Sequence, residues 1–221
     1  SRSFYRERDT EPWQSETAQH FLNICAADWL WQGASMLQAG TYGDFTEPND
    51  DPGLEGLTIV FSPTSSSLKA RWKNNSLSAD FMGDYFSTFC PVEQSELPSR
   101  RDEVKSAVSY IANELLENAM KFTDVDSIPI VIQLTMRPGE LLFCAKNGAS
   151  ETSASRYQAS VQALITADLW AEYEKRAAAT GKGSGMGLLS MLIDYSARIG
   201  WHFANHDGQR YMITTTVRIP L

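Results

Sequence analysis

The chain lacks two features that would each place it in a large class of proteins. It has no apolar run near the roughly 18–20 residues that a membrane-spanning helix needs. It has no surplus of basic residues, because 19 lysines and arginines face 27 aspartates and glutamates and give a net charge of −8. A protein that follows nucleic-acid phosphates needs such a surplus to displace counterions. We therefore expect the protein to bind neither a membrane nor a nucleic acid.

Cysteine is also scarce. The three cysteines, Cys25, Cys90 and Cys144, lie far apart in sequence and form no CxxC or Cys/His pair. This argues against a disulfide scaffold or a zinc site and favours a reducing, cytoplasmic location. The first residues, SRSFYRERDT, contain no apolar segment of the kind that a secretory signal uses. The 221 residues, 43% of them hydrophobic, suffice for one domain with an extension.

The excess of acid lies in the first half of the chain. Residues 1–100 hold 7 Lys/Arg and 14 Asp/Glu, whereas residues 101–221 hold 12 and 13. Much of the imbalance lies in residues 43–56, GDFTEPNDDPGLEG, whose proline, glycine and aspartate content predicts a surface loop. This tract is either a solvated loop or an acidic patch that faces a partner.

The first 98 residues show periodicity but no motif. Residues 16–38 have apolar side chains at helical spacing, and the runs LTIVFS and SLKARWK are typical of short strands. Residues 77–89 favour a helix. We interpret residues 1–98 as an N-terminal extension that packs on the remaining domain or on a partner, a homodimer included. A cluster of aromatic side chains suits either role: Trp13, Phe21, Trp29 and Trp31.

The second half has clearer elements. A helix is predicted from residue 99 to about 122, with one apolar stripe on its surface. Two strands follow, at 128–138 and 140–147, and then a polar, alanine-rich segment at 149–180. A glycine cluster, a helix and two closing strands complete the chain. This order predicts an α+β two-layer sandwich with helices on one face of a mixed, largely antiparallel sheet.

The helical segment NELLENAMKF, residues 113–122, is the first candidate site. Glu114 and Asn118 are four residues apart and lie on one edge of the helix, beside the apolar stripe. An asparagine oxygen suits Mg²⁺, which takes few protein ligands beside nucleotide phosphates. A carboxylate one turn away can orient or deprotonate an attacking hydroxyl group. The alternative is an ordinary amphipathic helix with a polar edge.

The glycine cluster GKGSGMG, residues 181–187, is the second candidate. Its glycines let backbone N–H groups approach a polyphosphate, and the helix behind them adds a favourable dipole. Lys182 can add a positive charge. The spacing fits neither a Walker A loop nor a Rossmann dinucleotide loop. A flexible glycine hinge is the alternative.

Taken together, the two segments resemble the N box and the glycine-rich box of the GHKL ATPase superfamily, over residues 99–221. The resemblance implies the Bergerat ATP-binding fold, with ATP and Mg²⁺ bound under a mobile lid at about residues 149–180. It implies that Glu114 is catalytic and that Asn118 binds the metal and the nucleotide. The other nucleotide-binding residues that it implies are Lys121, Asn147, Gly148, Gly181, Lys182, Gly183, Ser184, Gly185, Met186 and Gly187.

One element departs from the family pattern. Members carry Asp-x-Gly-x-Gly after the second strand, and the aspartate accepts a hydrogen bond from the adenine amine. This chain has CAKNGAS, with Lys146 at the aspartate position and Ser150 at the second glycine. Because lysine has no acceptor, adenine would need another group, such as the oxygen of Asn147.

The chain has no phospho-acceptor histidine motif and none of the transducer domains of the larger GHKL proteins. It therefore looks most similar to small bacterial Ser/Thr kinases of the anti-sigma-factor and SiaB type. That similarity implies phosphorylation of a regulatory partner protein. The alternative is a nucleotide-sensing or degenerate module that controls its partner without phosphoryl transfer.

Overall fold

The computed structural model describes residues 37–48, 53–62, 68–90, 100–178 and 185–221. All of these belong to one structural unit, Ser35–Leu221. Most of the helix predicted at 16–38 and the aromatic cluster before residue 32 lie outside the described residues. The described strands are β1 Gly40–Gly43, β2 Gly56–Phe61, β3 Ile130–Arg137, β4 Glu140–Ser150, β5 Arg198–Asn205 and β6 Arg210–Pro220. The described helices are α1 Leu68–Ser87, α2 Arg100–Phe122, α3 Glu151–Thr166, α4 Leu169–Ala178 and α5 Met186–Asp194.

The six strands form one open sheet in the order β1-β5-β6-β4-β3-β2. Every pairing among the described strands is antiparallel, so the prediction of a mixed sheet was wrong and only its antiparallel part holds. The hairpin β3–β4 turns at Pro138-Gly139, as predicted, because Gly139 takes the left-handed conformation that this turn requires. Strands from both sides of residue 99 therefore share one sheet.

The helical layer packs on one face of this sheet, and the α+β class is confirmed. The predicted stripe of α2 is buried: Val104, Val108, Ile111, Leu115 and Phe122. It faces alternate residues of the central strands, among them Ile132, Leu134, Phe143, Trp201, Phe203 and Ile213. Burying each such side chain contributes about 1.5–3 kcal/mol, so α2 is fixed on the sheet along its whole length. None of the described helices has both the length and the hydropathy to cross a membrane.

The run SLKARWK is not a strand, and this prediction was wrong. From Leu68 onward it forms the start of α1, which continues through most of the helix predicted at 77–89. Leucine, lysine, alanine and arginine are all good helix formers, and a short alternating run does not separate the two structures. The later residues decide, because they bury one face against α2 at helical spacing: Asn75, Ala79, Met82 and Phe86.

The acidic tract does not form a free surface loop at its start. Its first residue ends β1, its last begins β2, and these strands lie at opposite edges of the sheet. Asp44 accepts a hydrogen bond from Arg218, and the Thr46 N–H donates to Thr216 Oγ1. A Cβ on Gly200 would lie 2.1 Å from the Phe45 nitrogen, so the chain passes directly over β5. Residues 44–46 of the tract therefore lie against the face of the sheet that the helices leave open.

Residues 149–180 consist mainly of helices. Residues 149 and 150 finish β4, which is longer than predicted, and α3 and α4 follow. Helix α3 buries Ala154, Tyr157, Val161 and Leu164 and is part of the core. Helix α4 has no buried residue. Only the part after α3 is therefore exposed enough to move as a lid.

Candidate functional site

The fold brings the two candidate segments together. Glu114 lies on α2, and Gly187 is the second residue of α5. The backbone of Gly187 passes so close that a Cβ there would lie 1.8 Å from Glu114 Oε2. Tyr110, one turn earlier on α2, stacks on Tyr195 with 5.3 Å between the ring centroids, which holds the two helices together. A glycine at position 187 is therefore what leaves room for the carboxylate.

The pKa of Glu114 is far above its usual value. Burial raises this pKa to about 7, and the nearby negative charge of Glu117 adds to the effect. Glu117 itself accepts a hydrogen bond from Asn113, at 2.8 Å. Near neutral pH, Glu114 is therefore divided between its charged and neutral forms, which is the range in which a carboxylate can both take up and release a proton.

Asn118 and Lys121 continue the same helix beyond Glu114. The Asn118 side chain is half-buried, one turn from Glu114 and on the same edge of α2. Lys121 is exposed, and its Nζ lies 5.4 Å from the centroid of the Phe122 ring. Lys121 can thus reach towards solvent-facing phosphate groups, but in this structure its amine lies over an aromatic ring.

A positively charged side chain that the sequence motifs did not predict lies at the start of α5. Gly185 caps this helix in the left-handed conformation, with φ of 65°. Arg176 of α4 donates a hydrogen bond to the Gly185 carbonyl oxygen, at 2.8 Å, and another to Glu172, at 2.7 Å. A guanidinium group therefore lies beside the N-terminus of α5, where an anion would be favoured. Met186, also predicted, is the first residue of that helix and is half-buried.

The four other predicted residues of the glycine cluster, Gly181, Lys182, Gly183 and Ser184, lie outside the described residues. The structure therefore describes the cluster only from Gly185 onward.

Near the end of β4, Asn147 and its two sequence neighbours lie on opposite faces of the strand. Ala145 and Ala149 belong to the core under the helices, so Asn147 between them faces the same side. Lys146 and Gly148 face the opposite side, where Gly148 meets Ile128. Asn147 is 2% exposed, and its Nδ2 finds no acceptor among the described residues. The lysine at the family's aspartate position thus points away from the helices, and the asparagine points towards them.

Asp124 is a second residue that sequence reasoning missed. It accepts hydrogen bonds from the Ser150 N–H, the Ser150 hydroxyl and the Ser153 hydroxyl, each at 2.6 Å. Ser150 in turn caps α3 by accepting from the Ser153 N–H. Asp124 is exposed; partial desolvation of its carboxyl opposes ionisation, but these bonds outweigh it and lower its pKa. The serine at the family's second glycine position therefore joins α2 to α3.

This contact also gives a reference point for the positions of Asn118 and Asn147 along their elements. Asp124 holds Ser150, so the end of α2 and the end of β4 coincide. Counting back gives about 9 Å along the helix to Asn118 and about 10 Å along the strand to Asn147. Since α2 packs on β4, the two asparagines lie on neighbouring elements, each about 10 Å or less from the Asp124–Ser150 contact by residue count.

The described residues contain no group of three His, Cys, Asp or Glu side chains that could hold a metal ion. Mg²⁺ beside a nucleotide does not need one, because phosphate oxygens and waters fill most of its six positions. Asn118 Oδ1 is a suitable ligand of that kind, with Glu114 one turn away. The residues present therefore fit a magnesium ion that is bound beside phosphate groups.

Comparison of the chain with known protein families finds no family model that matches, and no curated protein matches it either. The likeness to GHKL proteins therefore remains a resemblance of two short segments and one interrupted element. What the site does has to follow from its own geometry: a half-buried carboxylate against a glycine, an asparagine beside it, an arginine at a helix N-terminus and a buried amide with an unused donor.

Proposed function

We propose that this protein binds Mg-ATP between α2, α5 and the sheet, in the manner of a Bergerat fold, and phosphorylates a serine or threonine of a regulatory partner protein. The observation that carries this proposal is the contact between Gly187 and Glu114. Two segments that resemble the N box and the glycine-rich box converge at one point, although each has a simpler interpretation alone. A convergence of this kind is not required by an ordinary amphipathic helix or by a glycine hinge.

The phosphate groups have donors on two sides. The N-terminus of α5 offers backbone N–H groups and a positive dipole end, and Arg176 offers a guanidinium group. Bound Mg²⁺ would neutralise phosphate charge, with Asn118 as its protein ligand. Because Glu172 already orients the Arg176 side chain, little ordering remains for the nucleotide to impose.

Glu114 is the proposed proton acceptor. In the transfer step, the partner's hydroxyl oxygen forms a bond to the γ-phosphorus, the bond to the β–γ bridging oxygen breaks, and ADP leaves. The hydroxyl proton passes to the Glu114 carboxylate. A pKa near 7 makes Glu114 a stronger base than an ordinary glutamate, although only its ionised fraction is active.

Asn147 replaces the family's aspartate in this proposal. Its buried Nδ2 is a donor without a partner among the described residues, so it can donate to N1 of adenine, and the amide oxygen is of the acceptor type that the N6 amine needs. Lys146 lies on the other face of β4 and takes no part. The exposed segment after α3 would serve as the lid, which is narrower than the 149–180 predicted from the sequence.

The test is a calorimetric titration with ATP, with and without Mg²⁺. We expect binding that requires Mg²⁺, and Asn118→Ala should lose most of the Mg²⁺-dependent affinity. Its free energy of unfolding should stay within about 1 kcal/mol of wild type, because Asn118 is only half-buried. Unchanged Mg-ATP binding by the folded variant would remove Asn118 from the site, and absence of nucleotide binding by wild type would refute the whole proposal.

A module that senses nucleotide without transferring phosphate is the second candidate. Lys146 favours it, since it stands where the family carries the aspartate that accepts from the adenine amine. Such a module would bind ATP in the same titration but would transfer no phosphate to a partner. Labelled γ-phosphate that reaches a partner serine or threonine therefore separates the two candidates.

A further inference from the structure

Helix α1 carries an apolar surface that the proposed nucleotide site does not use. Leu77, Phe81 and Tyr85 follow one another at four-residue spacing, and Phe89 continues their line just after the helix. We call these four residues the α1 stripe. Leu77 is 70% exposed, Phe81 54% and Phe89 44%. Half of the large hydrophobic side chains that are exposed in the described part of the chain therefore lie on this one line.

The aromatic members of the α1 stripe are preorganised. The Phe81 and Tyr85 rings lie 6.4 Å apart and the Tyr85 and Phe89 rings 5.4 Å apart, between centroids. Tyr85 also donates a hydrogen bond to Glu55, which fixes its ring. The stripe spans about 18 Å, or roughly three helical turns. Rigid aromatic side chains in a continuous line are typical of binding surfaces, because little side-chain entropy is lost when a partner covers them.

Carboxylates flank the α1 stripe on both sides. Asp80 and Asp84 lie along one side on α1, and Glu55 lies at Tyr85 on the other. Lys105 pairs with Asp84 and also interacts with Asp80 and Asp102, so one lysine faces three carboxylates. Among the described side chains that border the stripe, carboxylates therefore outnumber cations.

The charge decides between two occupants. A second copy of the chain would place stripe against stripe, and either two-fold arrangement would bring carboxylates to face carboxylates. Like charges in such positions oppose association. An apolar helix edge with lysines or arginines on both sides meets the stripe and its border at once.

We propose that the α1 stripe is the docking surface for a basic amphipathic helix of a partner protein. The surface does not depend on the nucleotide site, so either proposal can fail alone. The probes are two synthetic peptides of about 18 residues with leucines at helical spacing, one with lysines and one with glutamates in the remaining positions. Fluorescence anisotropy of the labelled peptides measures their affinity for the full chain without nucleotide.

We expect the Leu/Lys peptide to bind at least about tenfold more tightly than the Leu/Glu peptide, and less tightly in about 500 mM than in about 50 mM salt. Leu77→Ser with Phe81→Ser should weaken binding at least about tenfold. Ile165→Ser with Trp170→Ser is the matched control, because it removes two exposed apolar side chains elsewhere. Asp80→Lys, a change at an exposed position, should weaken binding without removing apolar area.

Several results would overturn the proposal. Equal binding of both peptides would show that charge plays no part. Equal loss in the stripe variant and in the control would show that the peptide binds any apolar surface. No binding of the Leu/Lys peptide below about 1 mM would remove the surface as a docking site. A wild-type dimer that the stripe variant dissociates, measured by sedimentation, would assign the surface to a second copy of the chain.

Discussion

Two carboxylates of the α2 region meet the starts of two other helices, with opposite consequences. Glu114 lies against the second residue of α5, and burial raises its pKa to about 7. Asp124 is exposed and lies against the start of α3, where three hydrogen bonds from serines lower its pKa in spite of partial desolvation. One carboxylate is desolvated, and the other is well hydrogen-bonded.

The difference separates a candidate for proton transfer from a structural carboxylate. Donors at Asp124 already satisfy its charge, so it stabilises the joint between α2 and α3 and has little capacity left for chemistry. Glu114 has lost water without gaining comparable donors, which costs folding free energy. Residues that cost stability in this way are found mainly at functional sites, which is why Glu114 is the better candidate for proton transfer.

The largest expected difference between the two carboxylates is their effect on phosphoryl transfer. Glu114→Gln keeps the size and hydrogen bonding of the side chain and removes its basicity. If the protein is a kinase, phosphoryl transfer to the partner should fall about 10²-fold or more, while Mg-ATP affinity stays near wild type. Asp124→Asn should leave the rate within about threefold. The measurements are transfer of labelled γ-phosphate and calorimetric ATP binding.

A fall in ATP affinity with Glu114→Gln would instead make the carboxylate part of the nucleotide-binding site. Equal losses of rate in the Glu114 and Asp124 variants would remove the distinction between the two carboxylates.

Much of the second half of the chain was predictable, because its signals are local. The stripe of α2 and the hairpin at Pro138-Gly139 follow from spacing and turn chemistry within a few residues. Glu114 and Gly187 were identified by the motifs around them. Their contact was not predictable from either motif alone, since it depends on how α5 packs on α2.

The missed features depend on partners far away in sequence. Asp124 needs Ser150 to show its role, and Asp44 needs Arg218. Arg176 looks like an ordinary member of a charged helix until α4 brings it to Gly185. The strand predicted for the run SLKARWK was wrong for another reason. A short alternating pattern does not distinguish strand from helix when the element on which it packs is unknown.

The next largest effect is on the free energy of unfolding, through the raised pKa of Glu114. A folded-state pKa raised from 4.5 to about 7 means that the native state binds more protons than the unfolded state across that interval. The free energy of unfolding therefore falls as pH rises through it.

A shift of this size corresponds to about 3 kcal/mol for a fully shielded group, and partial exposure of Glu114 reduces this to about 1–2 kcal/mol. Glu114→Gln should be more stable than wild type by that amount at pH 8 and equal to it near pH 4.5, by urea denaturation. A constant difference at both pH values would contradict the cause we assign to the raised pKa.

The smallest effect is that of Asp124 on the free energy of unfolding, and its pH dependence has the opposite sign. The folded-state pKa of Asp124 lies below its ordinary value of 3.8, so its contribution to stability is present above that value and is lost as pH falls through the lower folded-state pKa. Asp124→Asn keeps one acceptor oxygen but loses the charge that strengthens the serine hydrogen bonds. We expect it to lower the free energy of unfolding by about 1 kcal/mol at pH 7, and by less at pH 3.5.

Asp126→Asn removes an exposed negative charge from the same loop and serves as the matched control. If both variants lose the same stability at pH 7, general charge rather than the bonds to Ser150 and Ser153 is responsible. If Asp124→Asn alone is destabilised and the gap narrows in acid, the two carboxylates act on stability in opposite directions, as their surroundings require.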